Sequence, residues 1–371
     1  MYAENGKISS RQTFRLYVFD LIGIATLLLP PYLAKLCGIG GIWAIMIGTG
    51  AGIVYLYFLG WILKQMQTDA AAYLKEQTGR VFRFVAFGSV YIHSLITAGF
   101  CAYVFSNLMR YTLVKETTFF VVLCVIVLVS AYAVSGGIES RARVYEVLFL
   151  PVLIPYIAMM LATTKDFEWE YVAGISTVTG GQLAEGSFLV YLFLTPLFYL
   201  LFLVGEKEKS YRKTMIKTIL CAIVVSAIIL LFSYVLLVGN FGSAALSTMR
   251  FPVVTVMSTI QFKGNFLKRM DALMLGVWFF TLYALLNLHL HYGVSMLKEM
   301  AAKKEQQVKL WQLLLPVGVV LIVACGLEYL NGAVKLFLDY YAYVAVPYMV
   351  VFPILVLIVG GKHGNKKQAK R

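Results

Sequence analysis

The stretch Asp20-Leu-Ile-Gly23-Ile-Ala25-Thr26-Leu-Leu-Leu-Pro30-Pro31 lies inside an apolar run that begins at about residue 13 and continues to about residue 36. At 1.5 Å per helical residue such a run crosses a hydrocarbon core of about 30 Å. Runs of this kind recur to the end of the chain. Sixty per cent of the 371 residues are hydrophobic and 13% are charged, about half the charged fraction of an ordinary soluble domain. That much apolar surface cannot be hidden from water within one fold, so the surrounding solvent is lipid. Lipid offers no hydrogen-bond partners, which leaves helices or a closed barrel. The runs are too long and too evenly apolar for barrel strands, which alternate over about ten residues. The expected fold class is all-α integral membrane.

Hydropathy read against charged and Gly/Pro breaks predicts ten transmembrane helices in a single domain over 1–371. The first five fall at about 13–36, 39–63, 81–110, 118–136 and 142–163. The second five fall at about 185–205, 214–239, 269–297, 310–330 and 335–360. The first span follows a polar, basic leader without a small-residue cleavage site and is expected to be retained. With the N-terminus inside, 23 of the 32 basic residues fall on inner segments, as the excess of Lys and Arg on cytoplasmic loops requires. Both termini are therefore expected in the cytoplasm. A long outer connection, about 240–268, is expected to form short amphipathic helices on the bundle. The net charge of +14 is dispersed over loops, which argues for membrane topology and against nucleic acid.

Two five-span halves of opposite orientation have the form of an inverted repeat. In transporters built that way the first helix of each half is broken at mid-membrane, where helix ends and freed backbone meet a polar ligand. Helix 1 carries Gly23, Pro30 and Pro31; helix 6 carries Phe193-Leu-Thr195-Pro196-Leu-Phe-Tyr199. Glycine permits tight turns and proline removes a donor, so both helices are expected to be broken. Depth arithmetic then gathers a candidate ligand-binding set: Gly23 and Thr26 from helix 1, Ser94 and Thr97 from helix 3, Thr195 from helix 6, and Tyr283 and Asn287 from helix 8. Several of these can equally serve helix-to-helix hydrogen bonding.

Asp20 is costly within a membrane and needs a partner, a watery cavity or a proton. Glu139 and Arg141, with Arg269 and Asp271, mix signs at membrane boundaries and are candidates for gating or coupling. His289 and His291 stand two apart on a helix, so their side chains diverge and packing is the expected role. The five cysteines have no metal-type spacing. There is no nucleophile elbow, phosphate loop or metal cluster in the sequence, so no enzyme, metal or cofactor is expected.

Four stretches carry a family likeness: Lys7-Ile-Ser-Ser-Arg-Gln12, Gly23-Ile-Ala-Thr-Leu-Leu-Leu-Pro30, Gly137-Ile-Glu-Ser-Arg-Ala-Arg143, and Phe251-Pro252 through Gly264, Arg269 and Asp271 to Trp278. On these the chain resembles the spore germination permeases, the B subunits of nutrient germinant receptors in endospore-forming bacteria. They form a branch of the amino acid, polyamine and organocation transporter superfamily. The resemblance implies a leucine-transporter-like fold in the inner spore membrane, an A subunit and a lipoprotein C subunit as partners, and a small nutrient, usually an amino acid or sugar, as germinant. Carried over by position, it places the ligand pocket at the broken segments, which adds Ala25 in Gly23–Thr26 and Pro196 and Tyr199 in Thr195–Tyr199 to the candidate ligand-binding set, with helices 3 and 8 closing the pocket. An active amino acid permease is the alternative, because both need the same pocket. The chain departs from the family pattern at Gly40-Gly41-Ile-Trp43 and Thr117-Thr118, and its helix 6 has no acidic residue near the middle, which disfavours a cationic ligand.

Overall fold

A computed structural model describes residues 8–174, 178–203, 209–258, 270–301 and 310–368. Its helices are α1 Ser10–Cys37, α2 Gly41–Met66, α3 Ala70–Gln77, α4 Arg80–Thr112, α5 Phe119–Ser135, α6 Gly137–Ala162, α7 Glu170–Ala173, α8 Gly180–Leu192 and α9 Leu200–Leu203. They continue with α10 Lys209–Leu246, α11 Pro252–Ser258, α12 Met270–Met300, α13 Leu310–Glu328, α14 Ala333–Tyr340 and α15 Val346–Gln368. Helix lies over each of the ten predicted apolar stretches, and no strand occurs among the described residues.

Six helical stretches among the described residues are long and apolar enough to cross a membrane, and the bent pair of α8 with the segment Thr195–Leu203 makes up to a seventh. One of the six, Ser10–Gln77, contains 68 residues, about 100 Å if straight against a core of about 30 Å. It must fold back on itself. It does so at Gly38–Gly40, where Gly38 has a φ of 51° that only glycine adopts without strain.

The outward faces are apolar: Val54, Trp61, Tyr132, Val147 and Ile322 are each more than half exposed. In water this would be one continuous adhesive surface; in lipid it is the expected coat. Inside, α1 packs along α10, α12, α6 and α8, and α12 packs along α4. α1 is thus the central element, buried at nearly every position from Leu16 to Leu29.

The structure overturns the expectation for helix 1. Helix 1 is not broken: α1 is continuous from Ser10 to Cys37, with Pro30 and Pro31 inside it. Gly23 serves close packing instead of unwinding, since a Cβ there would stand 2.9 Å from the backbone and side chain of Thr281 on α12. The Thr26 hydroxyl donates back to the carbonyls of Ile22 and Gly23 at 2.8 and 3.3 Å, so its hydrogen-bonding capacity is used within the intact helix.

The break in helix 6 is present. α8 ends at Leu192, a 3-10 turn spans Thr195–Tyr199, and α9 resumes at Leu200, with a bend of 43°. Pro196 has no amide hydrogen for the Leu192 carbonyl four residues earlier. The Thr195 hydroxyl supplies the missing bond, donating to that carbonyl at 2.8 Å.

The predicted outer connection holds a break at Gly242 (φ 71°) within α10 and then α11. α11 does not lie on the bundle surface: Pro252, Val253, Val254, Val256 and Met257 are all buried, against α1, α10 and α12. Residues 259–268 of that connection lie outside the described residues. The last stretch is also irregular, with a π-helical turn, Tyr341–Ala345, joining α14 to α15.

The close α1–α12 contact makes a prediction. Gly23→Ala should lower the thermal midpoint of the detergent-solubilised chain by several degrees, an overpacking cost of about 1–3 kcal/mol. Gly50→Ala, whose Cβ would meet nothing within 4 Å, should leave it unchanged, and equal midpoints for the two variants would contradict the packing role.

Candidate functional site

The site is organised by a buried ion pair. Arg141, near the start of α6, donates from Nη2 to Asp20 Oδ1 on α1, and the two side chains are 5% and 1% exposed. The same nitrogen donates to the Ala284 carbonyl of α12 at 3.1 Å, and the Tyr145 ring lies 5.4 Å from the guanidinium carbon. An ionised carboxylate within a membrane costs at least about 2.5 kcal/mol, and the guanidinium supplies the compensating charge. Asp20 therefore has the partner its burial demands. The pair also retains capacity: Asp20 Oδ2 and Arg141 Nε and Nη1 have no hydrogen-bond partner in the protein.

A cavity lies on each side of this pair. The first, about 30 Å³, is bordered by Asp20, Thr97, Cys101, Thr195, Pro196 and His289, with Phe337 and Tyr341 of the last helical stretch closing it. The second, about 70 Å³, is bordered by Arg141, Tyr145, Tyr283, Asn287 and His291. Each holds little more than water, so the site is closed in this conformation.

The polar residues around the first cavity are joined across helices. Tyr199 OH shares hydrogen bonds with Ser94 Oγ and His289 Nδ1, both at 2.9 Å, and its ring stacks on Tyr292 with centroids 4.3 Å apart. Tyr341 OH donates to Thr97 Oγ1 at 3.1 Å. The break in helix 6 is thereby tied to α4 and α12, and the π-helical turn to α4.

The sequence-predicted residues divide into three groups. Thr97, Thr195 and Pro196 border the first cavity, with Tyr199 one hydrogen bond behind it through His289 and Ser94 one further. Tyr283 and Asn287 border the second; Tyr283 OH donates to the Val129 carbonyl at 3.2 Å, and Asn287 Oδ1 is buried without a partner. Gly23, Ala25 and Thr26 border neither, because α1 keeps its helical bonds and buries them in packing. The two histidines diverge as their spacing requires, His289 to the first cavity and His291 to the second.

Among the gating candidates, Asp20 and Arg141 are partners of one another. Glu139 instead pairs with Arg143 at 3.2 Å on the exposed face of α6. Arg269 lies outside the described residues, and Asp271 falls in the first turn of α12. Sequence reasoning missed Cys101, Phe337, Leu338 and Tyr341 as cavity residues. No signal in the sequence forecasts the π turn that brings Tyr341 inward. The first stretch carrying the family likeness also meets α6 just beyond the third: Gln12 Nε2 donates to Glu146 Oε2 at 2.9 Å and Arg11 pairs with the Glu146 carboxylate, while Arg15, past the first stretch, donates to the Glu146 carbonyl at 2.8 Å.

Comparison with known proteins accords with this geometry. By fold, the structure is similar to a Na+-coupled sialic acid symporter in a substrate-bound outward-open state, with a TM-score of 0.66 at 13% identity over 95% of this chain and 80% of that one. It is similar to a nucleobase-cation-symport-1 family transporter in a closed conformation with bromovinylhydantoin bound, with a TM-score of 0.68 at 12% identity over 94% of this chain and 77% of the other. In sequence it is similar to spore germination protein B2 of Bacillus subtilis (strain 168), 22% identical over 73% of this chain and 74% of that protein. It is also similar to spore germination protein A2 of the same organism, 19% identical over 79% and 80%. The sequence profile described as spore germination protein matches residues 7–332, and the chain belongs to that family of membrane proteins.

Proposed function

We propose that this chain is the membrane-embedded, ligand-sensing subunit of a spore germinant receptor, binding a small nutrient, an amino acid, beside the break in helix 6. In this reading it crosses the inner spore membrane ten times, five spans followed by five of inverted orientation, with both termini in the cytoplasm. A receptor A subunit and a lipoprotein C subunit read its conformation. The observation that carries the proposal is the bent helix 6 beside the Asp20–Arg141 pair, with the first cavity between them, in a chain of the spore germination family.

The chemistry fits a zwitterion. The unpartnered Asp20 Oδ2 can accept from an ammonium, and the hydroxyls of Thr97 and Thr195 at the same cavity can donate to the carboxylate on giving up their bonds to the His93 and Leu192 carbonyls. At about 30 Å³ the cavity is too small for any amino acid as it stands. A ligand must therefore bind an expanded conformation better than this closed one, and that difference in affinity is what shifts an equilibrium between two states. A receptor needs only this shift. A permease would have to continue to release on the other side.

Two outcomes test the reading. In spores, Thr195→Leu should raise the germinant concentration for half-maximal response at least about tenfold, a change of about 1.4 kcal/mol, while Thr195→Ser, which retains the hydroxyl that bonds Leu192, should stay close to wild type. Equal dose dependence of the leucine variant at equal abundance would rule out the pocket. Reconstituted alone in liposomes, the chain should show no uphill uptake of labelled amino acids, and robust uptake would favour the permease.

A further inference from the structure

A roomier hollow opens at the end of α1 far from its N-terminus. Its volume is about 270 Å³, against about 30 Å³ for the mid-membrane cavity, and it approaches the lower bound of about 300 Å³ for small-molecule pockets. Leu28, Tyr32 and Lys35 border it from α1, Tyr103 and Asn107 from α4, and Arg250 from the segment before α11. The two spaces follow one another along the same helices: on α4, Thr97 and Cys101 face the inner cavity and Asn107 the outer hollow.

The charges around the hollow do not balance. Lys35 and Arg250 both border it, and among the described residues neither has a carboxylate within ion-pair distance. The nearby acid, Glu328, is already engaged, by Arg110 Nη1 at 3.0 Å and Asn107 Nδ2 at 3.1 Å. Arg250 reaches Asn107 Oδ1 through a long bond of 3.3 Å and otherwise rests over the Phe251 ring at 5.4 Å. Asn107 is thus held at both ends, accepting from Arg250 and donating to Glu328. Leu28, Val104, Phe251 and Val334 give the hollow an apolar stretch of wall, beside the polar Tyr32, Tyr103, Asn107 and Ser247.

We propose that this hollow is a binding site for a small monocarboxylate with an apolar body, its carboxylate taken by Lys35 and Arg250 and its body by the Leu28–Val104–Val334 wall. The site stands independently of the mid-membrane reading, because it uses none of the residues that border the inner cavity. Both cations are exposed to solvent, so each contributes modestly and binding is weak and sensitive to salt. A carboxylate between them competes with Asn107 for Arg250, which relaxes one end of the Arg250–Asn107–Glu328–Arg110 chain.

The test uses the full-length chain in detergent micelles and saturation-transfer NMR titrations with isobutyrate, L-valine and valinol. Isobutyrate should bind with a dissociation constant below about 20 mM, and valinol, which lacks the carboxylate, should bind at least tenfold more weakly. Lys35→Gln with Arg250→Gln should weaken isobutyrate about tenfold or more, and either change alone about two- to fivefold. Thr195→Leu should leave isobutyrate binding within about twofold. If L-valine competes with isobutyrate, the site accepts amino acids; if it does not, the site is one for simple acids, and both results support the proposal. Valinol binding as tightly as isobutyrate, no isobutyrate binding, or an unchanged affinity in the double variant would each overturn it. Loss of binding in Thr195→Leu alone would place the carboxylate in the inner cavity and overturn the outer site.

Discussion

One guanidinium holds the centre of this molecule together. Arg141 lies where α1, α6 and α12 meet, neutralising the Asp20 carboxylate and bonding the Ala284 carbonyl at 3.1 Å. Neither charge can leave without exposing the other to a low-dielectric interior, at a cost of several kcal/mol. The three helices are therefore tied at one depth, and α1, which packs along α10, α12, α6 and α8, is fixed in rotation by its single buried acid. The fit of Gly23 against Thr281 sets how closely α12 can lie.

Around that fixed point the irregular backbone collects on the opposing elements. Helix 6 bends at Phe193–Leu194, and the last helical stretch passes through a π turn at Tyr341–Ala345. Both face the first cavity, helix 6 bonded to α4 and α12 through Tyr199 and the π turn bonded to α4 through Tyr341 and Thr97. A continuous α1 beside a jointed helix 6 assigns different mechanical roles to the two: one is a post, the other a hinge. The cavity is only water-sized, so on the proposed reading admitting a ligand requires helix 6 to move about its joint, where the polar groups lie.

Much of this was legible in the residues. Apolar run length placed helix over every predicted stretch, because lipid leaves the backbone no other way to satisfy its bonds. The Thr195-Pro196 pair announced a break, since proline removes a specific donor and the threonine beside it can replace that bond locally. The same logic failed at Gly23 and Pro30–Pro31. Glycine in a membrane helix serves a close crossing as readily as an unwound turn, and only the position of Thr281 decides which. Asp20 demanded a partner, but the sequence could not name Arg141, 121 positions away, because pairing across helices depends on their mutual rotation. Tyr341 and Phe337 were invisible for a similar reason: a π turn has no compositional mark, and aromatic residues are common throughout this chain.

The claim that the buried pair fixes the central helices is tested most directly by a double-mutant cycle on Asp20→Asn and Arg141→Met, read as unfolding free energy in mixed micelles. Each single change should cost about 3–5 kcal/mol by stranding the other group, and the double variant should recover most of that loss. Single variants as stable as wild type, or a double variant losing the sum of both, would contradict it.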